Sequence, residues 1–67
     1  MVTYIANASM DYILEGTGDL CQRLDIRLTP VGNKTRVEGS IISLISFFTA
    51  LASYYRLSLN EIRSKFA

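Results

Sequence analysis

The stretch GSIISLISFFTALASYY, residues 39–55, decides the fold that we expect for this chain. It contains no charge, no proline and no glycine after its first position. On a helix of 3.6 residues per turn, its large apolar residues fall on one stripe and its small residues on a second stripe, roughly opposite. The bulky stripe consists of Ile41, Leu44, Phe48, Leu51 and Tyr55, and the small stripe of Gly39, Ser43, Ser46, Ala50 and Ser53. A helix without a charged face is typically buried on all sides or lies in a membrane.

The small stripe predicts an oligomer interface. Small residues at heptad-like spacing let two helix backbones approach closely, and we expect the second helix to come from another copy of the chain. A chain of 67 residues buries a modest core, and its single cysteine, Cys21, excludes an internal disulfide. There is no histidine, and a single cysteine also excludes a Cys-rich zinc site, so oligomerisation as a dimer or tetramer is the expected source of stability. The alternative is that these small residues are simply tolerated at half-exposed positions.

Charge and composition narrow the function classes. Seven basic and six acidic residues give a net charge of +1, which is no electrostatic footprint for nucleic acid. A lone cysteine suits a reducing compartment, and the N-terminal sequence MVTYIANASMDY lacks the basic and apolar regions of a secretory signal. We therefore expect a cytoplasmic protein.

Helical periodicity also precedes the central stretch. Apolar residues at positions 10, 13, 14, 20, 21 and 24 predict a helix from about Met10 to Leu24, with Ser9 as its N-cap. Residues 1–7 fit either a short edge strand or the ragged start of a helix.

Two capping boxes mark the later helix starts. Thr35 followed by Glu38 predicts that the central helix begins at Arg36 and runs to about Tyr55. Ser58 followed by Glu61 predicts a last helix from about residue 59 to 66.

Residues 23–38 support two interpretations. The alternation of apolar and polar residues in RLDIRLTPV is typical of a strand, and pairing back across Gly32-Asn33 would form a β-hairpin. Leu24 and Leu28, however, also continue the apolar stripe of the preceding helix until Pro30 ends it. We favour a single all-α domain over residues 1–67: an antiparallel helical hairpin plus a short C-terminal helix, assembling into an oligomeric helical bundle. The alternative is an α+β fold with a β-hairpin at about residues 23–38.

Clustered carboxylates are the first candidate for chemistry. Asp11, Glu15 and Asp19 share one face of the predicted first helix, and Glu38 approaches them if the helices pack antiparallel. Carboxylates grouped in this way can hold Mg²⁺, so Glu15, Asp19 and Glu38 are candidate metal or nucleotide ligands. The alternative is a solvated acidic face.

The segments ILEGTGDLCQRL (residues 13–24) and ALASYYRLSLNEIRSK (residues 50–65) resemble the MazG-like nucleotide pyrophosphohydrolases. The resemblance implies an α-helical fold and an oligomeric, Mg²⁺-dependent enzyme that cleaves nucleoside triphosphates to monophosphate and pyrophosphate. The metal-binding acids of that family fall on Gly16 and Asp19 in the first motif and on Ser40 and Ser43 in the second. Only Asp19 keeps a carboxylate, with Glu15 one residue out of register. The resemblance therefore implies a catalytically inactive relative that binds a nucleotide or a partner.

Residues 52–62 also resemble the turn of helix-turn-helix regulators, whose pattern is A-x-x-x-G-[ILV]-S-x-x-x-[IV]. Arg56 replaces the usual glycine. The last helix would then be the recognition helix, with Asn60, Arg63 and Lys65 available for DNA contacts. The alternative is an ordinary helical corner, whose capping chemistry selects the same residue types.

A membrane span is the remaining alternative, because 17 uncharged residues reach the lower limit for a spanning helix. Four serines and one threonine dilute the segment, so a water-soluble core is favoured. Cys21 is expected to be a buried structural thiol, since no histidine is present to activate it.

The preferred hypothesis is a small, non-enzymatic binding or regulatory module that homo-oligomerises through its apolar central helix. On this hypothesis we expect no catalytic residues and no cofactor. Only the MazG resemblance implies a bound Mg²⁺. A further protein partner is compatible with this hypothesis.

Overall fold

The computed structural model describes residues 1–66 and shows a mixed α+β fold. The chain order is strand, a short 3₁₀ turn over residues 8–10, two short helices, a β-hairpin and two further helices. The elements are β1 (Val2–Ala6), α1 (Asp11–Leu14), α2 (Gly18–Leu24), β2 (Arg27–Val31), β3 (Lys34–Gly39), α3 (Ile41–Tyr55) and α4 (Leu59–Ser64). The prediction of an all-α helical bundle is wrong, because three strands form an antiparallel sheet.

The hairpin that alternation suggested for residues 23–38 is present, with tighter bounds. β2 and β3 pair from Arg27 opposite Glu38 to Val31 opposite Lys34, and the turn between them is Gly32-Asn33. Gly32 has a φ of +62°, the left-handed conformation that a two-residue hairpin turn needs at its first position. Pro30 is tolerated because β2 lies at the edge of the sheet, where a missing N–H interrupts no second strand.

The third strand is β1, at the opposite edge of the sheet. The sheet order is β1-β3-β2, and β1 pairs with β3 from Val2 opposite Gly39 to Ala6 opposite Thr35. The edge-strand interpretation of residues 1–7 is therefore correct.

The central helix begins five residues later than the first capping box predicted. Residues 35–38 belong to β3, where Val37 is fully buried. The true N-cap is Ser40, whose side-chain oxygen accepts a hydrogen bond of 3.1 Å from the backbone N–H of Ser43. The Thr-x-x-Glu pattern of residues 35–38 is compatible with a helix cap and with a strand. Pairing of β3 with a strand on each side favours the strand.

The predicted helix from Met10 to Leu24 is broken in two. Residues 15–17 separate α1 from α2, and the buried Thr17 hydroxyl donates a hydrogen bond of 2.7 Å to the carbonyl of Leu14. Ser9 is not an N-cap, since it lies inside the 3₁₀ turn whose N-cap is Asn7. α2 ends at Leu24, and its C-cap, Asp25, adopts a φ of +56°, so the apolar stripe cannot continue helically to Leu28.

All helices pack on one face of the sheet. The inner face contributes Ala6 and Val37 to the core, and directly opposite residues in neighbouring strands share a face. The largest fully buried side chains are Met10, Ile13, Val37, Leu44, Phe47 and Ile62. The outer face of the sheet therefore consists of Thr3, Ile5, Arg27, Thr29, Val31, Lys34, Arg36 and Glu38.

The last capping box is confirmed. The backbone N–H of Glu61 donates to Oγ of Ser58 at 3.1 Å, and the N–H of Ser58 donates to Oε1 of Glu61 at 3.2 Å. α4 ends at Ser64, slightly earlier than predicted.

Candidate interaction surfaces

The solvent side of α3 carries no charge. Ile42, Ser46, Thr49 and Ser53 are exposed and lie within 60° of one another on the helix, and we call them the outer face of α3. Ile42 is 75% exposed, and none of the 15 residues of α3 is charged. A surface helix of a globular protein normally presents charged or polar residues opposite its apolar stripe. The outer face of α3 is polar only through small hydroxyl groups, and its largest side chain is aliphatic.

The bulky stripe of the central helix is buried in its middle. Leu44, Phe48 and Leu51 lie in the core, and Phe47, which does not belong to that stripe, is completely buried as well. Ile41 differs, because it is 60% exposed at the first turn of α3.

The five predicted interface residues occupy different environments. Ser46 and Ser53 are exposed, while Ser43 and Ala50 lie half-buried along one side of the outer face. Gly39 lies in β3 and is buried: a Cβ atom added there would be 3.2 Å from Cγ1 of Ile26. Four of the five residues therefore lie along α3, and Gly39 packs against its own chain.

A groove of about 310 Å³ runs between β1, α3 and the start of α4. We call it the β1 groove, and its lining residues are Val2, Tyr4, Ile41, Leu44, Ile45, Phe48, Leu59 and Arg63. Seven of the eight are apolar or aromatic. Tyr4 and Phe48 meet edge to face, with ring centroids 5.4 Å apart. Viewed down the axis of α3, Ile41 lies at 0°, Ile45 at 40° and Ile42 at 100°. The β1 groove and the outer face of α3 are therefore separate surfaces.

The β1 groove could not be predicted as a whole from the sequence, because the groove requires the sheet. Its available signals were the alternation of Val2 and Tyr4 and the i, i+4 spacing of Ile41 and Ile45. The first places two apolar side chains on one face of a strand, and the second places two on one side of a helix.

A second cleft, of about 370 Å³, lies between α2 and the C-terminal half of α3. Tyr54 lines it and is 80% exposed. Tyr55 packs between two other tyrosines, with ring centroids 6.3 Å from Tyr12 and 5.0 Å from Tyr54, and its hydroxyl donates to the carbonyl of Ile13 at 3.4 Å. Tyr55 therefore closes the end of the helix, and Tyr54 remains open to solvent.

The candidate metal or nucleotide ligands are dispersed. Glu15 and Asp19 are exposed at the junction of α1 and α2. Glu38 lies on the outer face of the sheet, away from the helices, where its carboxylate is 3.3 Å from the Arg36 guanidinium. Within residues 1–66, no group of three or more His, Cys, Asp or Glu side chains is placed to hold a metal ion. The strand conformation of residues 34–39 turns Glu38 away from the helices, so it does not join the acids of α1 and α2.

The candidate DNA-contacting residues lie on or beside a short helix. Asn60 and Arg63 are exposed on α4, and Lys65 caps its C-terminus. Arg56, where helix-turn-helix proteins carry glycine, adopts a φ of +56°. The corner therefore has the backbone conformation that favours glycine, occupied here by arginine.

Cys21 is buried, as predicted. Its Sγ lies 3.6 Å from the Thr17 hydroxyl. Burial raises the pKa of the Cys21 thiol above its ordinary value, and the contact with Thr17 opposes part of that rise. The thiol therefore stays protonated at neutral pH, and a protonated thiol is a poor nucleophile.

Comparison with protein-family models, with curated proteins and with solved structures gives no match for this chain. The all-α architecture implied by the MazG resemblance is not the architecture of this chain. Over the described part of the chain, no helix is both long enough and apolar enough to cross a membrane.

Proposed function

We propose that this chain is a non-catalytic interaction module that self-associates through the outer face of α3 and acts in the cytoplasm. The observation that carries the proposal is the exposure of Ile42 on a helix face with no charge. An exposed aliphatic side chain gains free energy when it is removed from water, and a face without charge opposes its burial least, so this face is suited to association.

A second copy of the chain is the partner that this face fits. If two copies of α3 pack antiparallel about a two-fold axis at Ser46, Ile42 of one copy faces Ala50 of the other. The larger Ile42 of each copy then meets the smaller Ala50 of the other copy. The same contact therefore forms twice, as the symmetry of an isologous interface requires. The aliphatic side chain has room because its counterpart is small.

The energy of the contact favours the same arrangement. Burying an isoleucine side chain contributes about 1.5–3 kcal/mol, and the two-fold axis doubles that contribution. A 67-residue chain without an internal disulfide gains most from such a contribution, because small domains are marginally stable alone.

The buried, protonated Cys21 and the scattered carboxylates support a non-catalytic role. A nucleophile needs an activated, accessible thiol, and a magnesium site needs carboxylates that converge. Neither arrangement is found within residues 1–66.

Sedimentation velocity over a dilution series tests the proposal. We expect wild type to form a dimer or larger assembly, and Ile42→Gln to shift it toward monomer by removing the aliphatic contact. Tyr54→Gln is the matched control, since it removes an equally exposed large side chain from the same helix outside the outer face. A wild-type monomer at every concentration, or equal effects of the two substitutions, would contradict the proposal.

Binding of duplex DNA through α4 is a second candidate function. The positive φ of Arg56 favours it, because this is the backbone conformation available to the glycine of the helix-turn-helix pattern. The test is retention of the protein on duplex DNA at low salt, which Arg63→Ala combined with Lys65→Ala should abolish. Absence of retention for wild type would refute this function.

A further inference from the structure

The outward edge of β1 is available for pairing. β1 is hydrogen-bonded to β3 on one side, and on the other side the structure shows a single isolated bridge, between Ala6 and Phe66. Within the described part of the chain, residues 2–4 have no strand beside them on that outward edge. An unpaired strand edge presents N–H and C=O groups that another extended chain can pair with.

The β1 groove lies against this same edge. The inner-face side chains of Val2 and Tyr4 form one wall, and Ile41, Ile45 and Leu59 form the other. These last three side chains are 60%, 56% and 44% exposed, so the groove is open and apolar. A strand added to β1 would direct every second side chain into it.

A charged residue at the rim of the β1 groove indicates one further chemical feature of the molecule that binds there. Arg63 is the only charged lining residue, and it is exposed. Its neighbour Glu61 is engaged in capping α4 through Ser58, and within residues 1–66 the one ion pair joins Arg36 to Glu38. An arginine at the rim of an apolar groove complements a carboxylate, which it binds through two parallel hydrogen bonds.

We propose that the β1 groove binds an extended apolar peptide that ends in a free carboxylate. The peptide pairs with β1 as an added strand, places alternate side chains in the groove, and sets its carboxylate against Arg63. The strand edge favours a peptide over a fatty acid, since an acyl chain has no groups for the N–H and C=O of β1. This inference does not depend on self-association, because the outer face of α3 and the groove use different residues.

Selection from a library of random heptapeptides with free C-termini supplies the probe. We expect the selected sequences to share apolar residues at alternate positions. The best sequence is then synthesised as the free acid, as the C-terminal amide, and with alternate backbone nitrogens methylated. Loss of the carboxylate should weaken binding about tenfold or more, as for a charge-assisted hydrogen bond, and N-methylation should weaken it similarly.

Protein variants locate the peptide. Arg63→Gln should weaken the free acid about tenfold while leaving the affinity for the amide unchanged, because only the acid presents a charge. Ile45→Ser should weaken both forms. Lys34→Gln, which removes an exposed charge from the first residue of β3, should change neither.

Three outcomes would overturn the inference. They are a selection without enrichment, equal binding of acid and amide, and indifference to N-methylation combined with displacement by a long-chain fatty acid. None of them bears on the sedimentation of Ile42→Gln, so failure of this inference is distinguishable from failure of the proposed function.

Discussion

Two surfaces of this molecule face away from its core, and they differ in charge. The outer face of the sheet carries Arg27, Arg36 and Glu38, and the last two form an ion pair of 3.3 Å. The outer face of α3 carries no charge and exposes Ile42. Charged groups are costly to remove from water, whereas an exposed aliphatic group gains from removal. The sheet face is therefore the more costly of the two to remove from water, and the helix face the less costly.

The largest effect that we expect is a difference in the free energy of unfolding between substitutions on the inner and the outer side of α3. Phe47 is completely buried, so Phe47→Ala should lower the free energy of unfolding by about 3–5 kcal/mol through the cavity it leaves. Thr49→Ala, on the outer face, is the matched control and should change it by less than about 0.5 kcal/mol. Urea unfolding of both variants measures the difference. Equal losses would show that the two sides of the helix are not distinguished as the fold requires.

A smaller effect concerns the ends of α2 and α3, which lie outside both surfaces. Asp25 and Arg56 each have a φ of +56°, and the N–H of the following residue bonds to a carbonyl five residues back. Glycine adopts this conformation without the steric cost that a Cβ atom brings. Arg56→Gly should therefore raise the free energy of unfolding by about 0.5–1 kcal/mol, with Arg56→Ala as the control that keeps the Cβ atom. A gain from alanine equal to that from glycine would mean that the backbone conformation is not the cause.

The end of the chain shows which features the sequence can specify. The capping box of Ser58 and Glu61 was predicted correctly, because all its interactions lie within one helical turn. The box of Thr35 and Glu38 was predicted wrongly, because β3 is held by β1, whose residues lie about thirty positions earlier. The residue types at positions 35–38 fit both a helix cap and a strand, and only the pairing of β3 with the distant strand β1 distinguishes the two.

The same limit applies to the candidate surfaces. The small residues Ser46, Ala50 and Ser53 could be placed together from helical spacing alone, and the structure keeps them on one side of α3. The β1 groove combines a strand, two helices and Arg63, so it could not be found before the sheet was known. The carboxylates failed to converge for the same reason, since Glu38 faces away from the helices on β3.

The smallest effect concerns the buried thiol. Burial raises the folded-state pKa of Cys21, so as pH rises the unfolded chain loses the thiol proton first. The stabilisation from the neutral buried thiol is complete below the unfolded-state pKa of about 8.5 and declines as pH rises toward the folded-state pKa. The stability of wild type relative to Cys21→Ala should therefore fall as pH rises above about 8.5. A difference independent of pH over this range would contradict burial of the thiol.

Disulfide trapping of a second copy tests whether α3 packs against α3 of another molecule. In a Cys21→Ser background, Ser46→Cys places one thiol at the proposed two-fold axis, and Arg27→Cys places one on the outer face of the sheet. If α3 packs against α3 of a second copy, mild oxidation should convert Ser46→Cys rapidly and almost completely to a covalent dimer, because Cα atoms at the axis approach within disulfide range. Arg27→Cys should cross-link slowly and only through collisions. Equal, slow cross-linking of the two variants would contradict the account and show that the uncharged face of α3 is not an interface between copies.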